Sequence, residues 1–325
     1  MNKQNRYRRL ISSFAEVRRI SISEDEPMKR HTSLRIGGPA DLFIVPRRRE
    51  AALEVFKKLE SADIPWSVTG AGSNLLVADR GIRGAAVKLS DLDRVEIEGS
   101  SIKAEAGILL GRLAEISARS ALSGLEFASG IPGTLGGAIF MNAGAYGGQM
   151  QDVLKEVEVF SPQDKRSYRL KKEELELSYR SSRLQQEGCI AVSAVLELSR
   201  GEKEQILERM AELEYKRWLK QPMDCPSAGS TFKRPEDDYA GRLIEAAGFK
   251  GSRVGNAMVS QKHAGFIVNL IEKGGAEAAE VIELMRRVQR GVEEEFDITL
   301  EPEPRPLGDF PPDELTPPFP NGTAV

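Results

Sequence analysis

Residues 129–148 read SGIPGTLGGAIFMNAGAYGG, and seven of the twenty are glycine: Gly130, Gly133, Gly136, Gly137, Gly144, Gly147 and Gly148. Glycine loses more backbone freedom on folding than any other residue, so this density costs stability. It permits close backbone approach and positive φ. A loop that lays its N–H groups against a phosphate or a dinucleotide needs both. A turn-rich connection between strands uses the same composition, and the stretch alone leaves the two readings level.

The rest of the chain narrows the choice. Its 325 residues, 40% hydrophobic and 29% charged, suit a globular protein of two or three domains. A net charge of −3 gives no basic field for nucleic acid or an anionic membrane. No apolar run approaches the roughly 20 residues of a membrane span. The basic N-terminus lacks the continuous apolar core of a secretory signal and reads as a solvated tail or a short helix. Cys189 and Cys225 form neither a disulfide framework nor a zinc spacing, which fits a reduced cytoplasm. With only His31 and His263, histidine-based triads and metal centres are poorly supplied. No metal is expected.

Local patterns suggest an α+β chain. Residues 31–45 read as strand, glycine turn, strand. Leu53, Phe56 and Leu59 predict a helix over 49–60. A strand at 64–68 leads into a second glycine loop, GAGSNLLV at 70–77, without the GxGxxG spacing of a Rossmann unit. Short strands follow near 85–89, 95–97 and 102–106, then a helix over 110–122. Strands are expected at 153–160 and 190–198. Beyond 200 the pattern turns helical, with amphipathic segments at 203–220 and 277–296 and a short helix at 240–247. The last twenty residues, 306–325, are rich in proline and read as too poor in core-forming residues to order. A cleft between the glycine-loop part and the helical part is the default ligand site.

Seven motifs in one order carry a resemblance: TSLRIGGPAD at 32–41, GAGSNLLV at 70–77, GIPGTLGG at 130–137, MNAGAYG at 141–147, SYRS at 178–181, AGSTFKRP at 228–235 and KHAGFIVN at 262–269. Together they resemble the UDP-N-acetylenolpyruvoylglucosamine reductase family, over roughly residues 28–305. Only five residues separate the strand ending near Leu198 from the next helix, which is similar to the shorter, second type of the family.

The resemblance implies a two-subdomain FAD-binding fold of the vanillyl-alcohol-oxidase type plus a smaller α+β substrate domain. The boundaries it suggests are an extension at 1–27, FAD subdomains at 28–89 and 90–200, a substrate domain at 201–300, a return of 301–308 to the second FAD subdomain, and a disordered tail at 309–325. It implies a cytoplasmic step of peptidoglycan precursor synthesis, hence a link to cell shape and division. NADPH would be the co-substrate and FAD noncovalent, with a monomer the expected state and no nucleic-acid or membrane partner.

Site residues follow motif by motif. Arg180 matches the family's carboxylate-binding arginine, a role its planar, permanently charged fork suits. Ser230 matches the proton donor, and an unaided serine hydroxyl is a weak acid that needs activation by position. Glu303 matches the catalytic glutamate, with Glu301 as fallback. Pro304 departs from the family pattern and removes an N–H, putting the local pairing in doubt. Gly70, Gly72, Ser73, Asn74, Gly133, Thr134, Gly136, Gly137, Asn142, Gly144 and Gly147 would hold the FAD pyrophosphate, with Arg35 near. Arg217, Lys220, Lys233 and His263 would meet the UDP-sugar. Each alone reads more simply as a solvated charge or a loop residue. Another noncovalent flavin oxidoreductase and a nucleotide-sugar-binding module without catalysis are the competing readings.

Overall fold

The computed structural model describes residues 3–311, 313–315 and 318–319. It divides into two compact units, Met1–Ser23, Leu42–Ala71 and Gly84–Arg217 forming the first and Glu24–Asp41, Gly72–Arg83 and Trp218–Val325 the second.

In the first unit, an antiparallel sheet runs in the order Arg166–Lys171, Leu154–Ser161, Ile190–Glu197, Ser101–Glu105, Val95–Glu98. Alternation sets its faces: Val157 and Val159 are fully buried, while Glu156 and Glu158, on the other face, are only half-buried. The helix Leu110–Arg119 buries Leu110, Leu113, Ala114 and Ala118 against the same core. A second core forms around Phe56, whose ring lies 4.9 Å from Trp66 and 5.1 Å from Phe160. Here Trp66–Thr69 runs parallel to the strand Ile82–Lys88, with Trp66 opposite Ala85 and Val68 opposite Val87.

Three expectations shift here. The N-terminus takes the short-helix alternative, but as part of a core and not as an extension: the helix Lys3–Ser13 and the turn after it bury Leu10, Phe14 and Val17 in the Phe56 core. Residues 31–36 form turns, and the strand before them is Ile20–Pro27. The helix Lys203–Lys220 sends Ile206 and Met210 into the first unit's core, so the division falls after Arg217 and not near residue 200.

In the second unit, the helix Ala278–Phe296 buries Val281, Met285, Val288 and Val292, the i, i+4, i+7, i+11 stripe of the sequence. Asp79 caps it, its two carboxylate oxygens accepting the N–H groups of Ala278 and Ala279 at 2.8 and 3.1 Å. A small antiparallel sheet, Arg253–Val254, Ala257–Val259 and Ile267–Asn269, packs beside this helix. The returning segment Arg305–Leu307 pairs in parallel with Leu75–Val77, within the span expected for the first FAD subdomain rather than the second. The tail also departs from expectation. Leu315 and Phe319 are buried in the second unit's core, because they supply the apolar groups that its prolines cannot. Residues 312, 316–317 and 320–325 of that tail lie outside the described residues.

Candidate active site

The two glycine loops meet in the first unit. A Cβ on Gly70 would lie 2.3 Å from Thr134 Oγ1, so the close approach requires glycine. Thr134 is buried, extended, and caps the short helix Leu135–Phe140, its Oγ1 accepting Gly137 N–H at 3.5 Å. Gly133 sits at φ +135°, where only glycine is at ease, and its carbonyl accepts Leu110 N–H at 3.0 Å. Gly136 gives its N–H to Ala106 O at 2.8 Å, and a Cβ there would press on Ala106 Cβ at 3.0 Å. Gly136 therefore meets an internal packing need, and its N–H is not offered to a phosphate.

Internal contacts also account for the residues further along. Gly144 pairs with Gln149 and Ala145 with Gly148 across a two-residue turn, Tyr146–Gly147, with φ +52° and +89°. Two positive φ values are the mark of a hairpin turn whose twist matches its strands. A Cβ on Gly144 would lie 2.7 Å from Gly148 O. Gly144 and Gly147 thus answer to the hairpin. Asn142 is only 2% exposed, and its Nδ2 reaches Ser178 O at 3.0 Å and the side-chain oxygens of Gln149 and Gln151 at 3.2 Å. Its side chain faces protein, not a ligand surface.

Arg180 stands at the corner of a tight turn closed by reciprocal bonds between Ser178 and Ser181, both 3.2 Å. Its φ is +55°, a left-handed conformation uncommon for a long side chain. Its guanidinium carbon lies 5.2 Å from the Tyr179 ring centroid. Arg217 is buried to 7% exposure, donates to Gly130 O, and stacks 6.0 Å from the Tyr146 ring centroid. Burial draws its pKa down, partly offset by Tyr146, and its Nε–H has no acceptor among the described residues. Tyr146 is not among the expected site residues; its sequence signal is its place in the MNAGAYG motif at 141–147.

The second unit holds Ser230 and Glu303. Gly229, at φ +79° with open space around it, turns the chain into Ser230. Thr231 is buried and structural, its N–H donating to Gly265 O at 2.8 Å and its Oγ1 accepting Ile267 N–H at 2.9 Å. Ser230 is half-buried, and its hydroxyl makes no hydrogen bond among the described residues. Residues 231–233 pair antiparallel with 301–303: Glu303 N–H donates to Thr231 O at 3.0 Å and Lys233 N–H to Glu301 O at 2.8 Å. Glu303 therefore lies opposite Thr231, one residue from Ser230.

Pro304 does not disturb this pairing. Glu303 and Arg305 donate, the latter to Asn74 O at 2.8 Å, and the alternate positions 302, 304 and 306 are the prolines. A missing N–H is harmless where it faces away from the partner. Asn74 Nδ2 also donates to Glu303 O at 3.1 Å, so Asn74 braces the glutamate's backbone. Gly72, at φ +67°, packs where a Cβ would lie 2.0 Å from His31 O. Ser73 is half-buried beside it, and Arg35 is exposed at φ +56°.

The expected phosphate partners divide. Lys233 forms an ion pair with Glu301. Lys220 is exposed. His263 accepts Gly265 N–H on Nδ1 at 3.0 Å, and burial pushes its pKa below the ordinary value. Among the described residues no cluster of His, Cys, Asp or Glu could hold a metal ion. No described helix is long and apolar enough to cross a membrane.

Comparison with known proteins adds an independent line. Residues 40–166 match the FAD binding domain family, and residues 221–307 match the family described as UDP-N-acetylenolpyruvoylglucosamine reductase, C-terminal domain. A protein of Caldanaerobacter subterraneus subsp. tengcongensis named UDP-N-acetylenolpyruvoylglucosamine reductase is 49% identical over 88% of this chain and 93% of its own. A Clostridium botulinum protein of that name is 44% identical over 95% and 100%. The crystal structure of the Thermus caldophilus reductase superposes with a TM-score of 0.75 at 40% identity, covering 89% of this chain and 98% of that one. The fold is thus α+β with an FAD-binding domain, and the chain belongs to the UDP-N-acetylenolpyruvoylglucosamine reductase family.

Proposed function

We propose that this protein is an FAD-dependent oxidoreductase that reduces the enolpyruvyl group of UDP-N-acetylglucosamine-enolpyruvate to UDP-N-acetylmuramate, using NADPH, in peptidoglycan precursor synthesis. A cytoplasmic location and a monomeric state belong to the same reading. The observation that carries it is the antiparallel pairing that sets Glu303 opposite Thr231, next in the chain to Ser230, whose hydroxyl makes no hydrogen bond among the described residues.

The residues present fit the cofactor. Gly70 and Thr134 bring the two glycine loops together, with exposed Gly137 beside them, and a pyrophosphate would be held against this glycine backbone. When bound, FAD would supply the two-electron redox chemistry between NADPH and the enolpyruvyl group.

The chain's own residues do the rest. Arg180 would hold the substrate carboxylate and the negative charge that develops beside it, where fixed electrostatics are most effective. Ser230 would give its proton to the neighbouring carbon, with Glu303 close enough in the chain to tune that hydroxyl. Glu301 is the weaker candidate, because it pairs with Lys233.

The test separates the half-reactions under anaerobic stopped flow. In Ser230→Ala, NADPH should bleach the flavin at the wild-type rate, while substrate should no longer restore its colour. Reoxidation at the wild-type rate in this variant would remove Ser230 as the acid. If substrate fails to reoxidise the wild-type flavin, the proposed activity is wrong.

A further inference from the structure

We infer that Asn142, together with Gln185, is a positioning residue for Arg180, joining the glycine-rich stretch to the turn that carries the arginine. The inference rests on the reading of Arg180 as the substrate's carboxylate-binding group.

Four contacts fix that turn from one side. Asn142 Nδ2 donates to Ser178 O at 3.0 Å, at the turn's first residue. Gln185 Nε2 lies 3.1 Å from Arg180 O and 2.6 Å from Phe140 O. Ser182 Oγ, fully buried, donates to Phe140 O at 2.7 Å. Phe140 and Asn142 belong to the segment that ends the helix Leu135–Phe140, so the loop in contact with Gly70 and the Arg180 turn are parts of one bonded frame.

Asn142 is itself over-determined. It sits at φ +40°, a conformation asparagine tolerates better than most residues. Its Oδ1 accepts Gln151 N–H at 3.0 Å, which fixes the amide orientation and aims Nδ2 at Ser178. Its remaining contacts, to Gln149 and Gln151, are internal. Asn142 thus spends its buried amide on the turn that holds Arg180 in a left-handed conformation. Such conformations persist only when the surroundings impose them, and they gather at functional sites. Released from this frame, Arg180 would relax out of φ +55°, and its fork would move. A misplacement of about 1 Å at a catalytic group can cost about a hundredfold in rate.

The test is a double-mutant cycle read on the separated half-reactions. Asn142→Ala and Gln185→Met should each slow flavin reoxidation by substrate about ten- to a hundredfold. In Gln185→Met, reduction by NADPH and flavin content should stay at wild-type values. In an Arg180→Lys background, which already lacks the fork, the same substitutions should cost no more than about twofold. Full additivity would overturn the inference, since a merely structural residue slows both backgrounds alike. Wild-type reoxidation in both single variants would overturn it as well. If Arg180→Lys alone reoxidises at the wild-type rate, the reading of Arg180 has failed, and this inference with it. Should Asn142→Ala not fold, Gln185→Met carries the cycle alone.

Discussion

Replacing Gly72 by alanine should be far more damaging than replacing Gly248, although both are left-handed glycines of the second unit. Gly248 has φ +76° and nothing within 4 Å of an added Cβ, just beyond the helix Ala240–Ala246. Its alanine carries only the backbone penalty of the left-handed conformation, about 1 kcal/mol. Gly72 carries the same penalty at φ +67°, and its Cβ would fall 2.0 Å from His31 O and 2.9 Å from Thr32 Cα. Both obstacles are backbone, so no rotamer relieves them. Relief requires a shift of roughly 1 Å between residues 31–32 and the loop, an overpacking cost of about 1–3 kcal/mol. It also stretches the bond from Ser33 N–H to Gly72 O, now 3.2 Å, worth about 1 kcal/mol net. Gly72→Ala should therefore cost about 3–5 kcal/mol against about 1 for Gly248→Ala. Urea unfolding followed by circular dichroism gives both values, and flavin absorbance per protein shows whether the loop still holds its cofactor. Equal costs for the two variants would refute the reasoning, because they would mean that residues 31–32 yield freely.

Three further outcomes are expected. Glu303→Gln should slow flavin reoxidation by substrate about 10²- to 10⁴-fold, the range for a lost acid/base group, whereas Glu301→Gln loses an exposed pair with Lys233 and should alter stability by less than about 1 kcal/mol; stopped flow with the larger defect in Glu301→Gln would reverse the assignment. His263 has its folded pKa pushed below the ordinary 6.5 by burial, so the unfolded chain binds the extra proton first, and stability is full above about pH 6.5 and falls as pH drops towards the folded value. His263→Asn, which keeps an acceptor for Gly265 N–H, should flatten the melting-temperature slope in that window, and an unchanged slope would discount the histidine. Phe14→Ala should cost about 3–5 kcal/mol in a urea titration, since Phe14 is 3% exposed in the Phe56 core, and a negligible loss would mean the N-terminal segment is dispensable.

The fold was legible where periodicity was strong. The stripe of Val281, Met285, Val288 and Val292 and the alternation in the strands of the first unit carry their own burial pattern. What could not be read locally was ownership. The helix Lys203–Lys220 looks alike whichever core takes Ile206 and Met210, and only the long-range packing assigns them to the first unit. The N-terminal helix is similar, because Leu10, Phe14 and Val17 are too few to announce a core. The proline count of the tail hid Leu315 and Phe319, two residues that find room in a core already built by others.

For the site, residue types and order were legible, but the reason for each glycine was not. Gly70 and Gly72 are glycines because a carbonyl or a threonine stands against them; Gly144 and Gly147 because a hairpin needs them. A sequence presents all four as one phosphate-binding composition. Pro304 shows the opposite error. Read singly it threatens the strand, yet prolines at 302, 304 and 306 leave the donors at 303 and 305 intact, and period 2 turns a breaker into an edge that can pair in only one phase. The pairing puts Glu303 beside Thr231 and Asn74 and leaves Glu301 to Lys233. The alternating prolines exclude a one-residue slip, but Glu301 and Glu303 share one phase; what separates them is the observed register, in which Glu303 N–H donates to Thr231 O while the Glu301 carbonyl accepts Lys233 N–H.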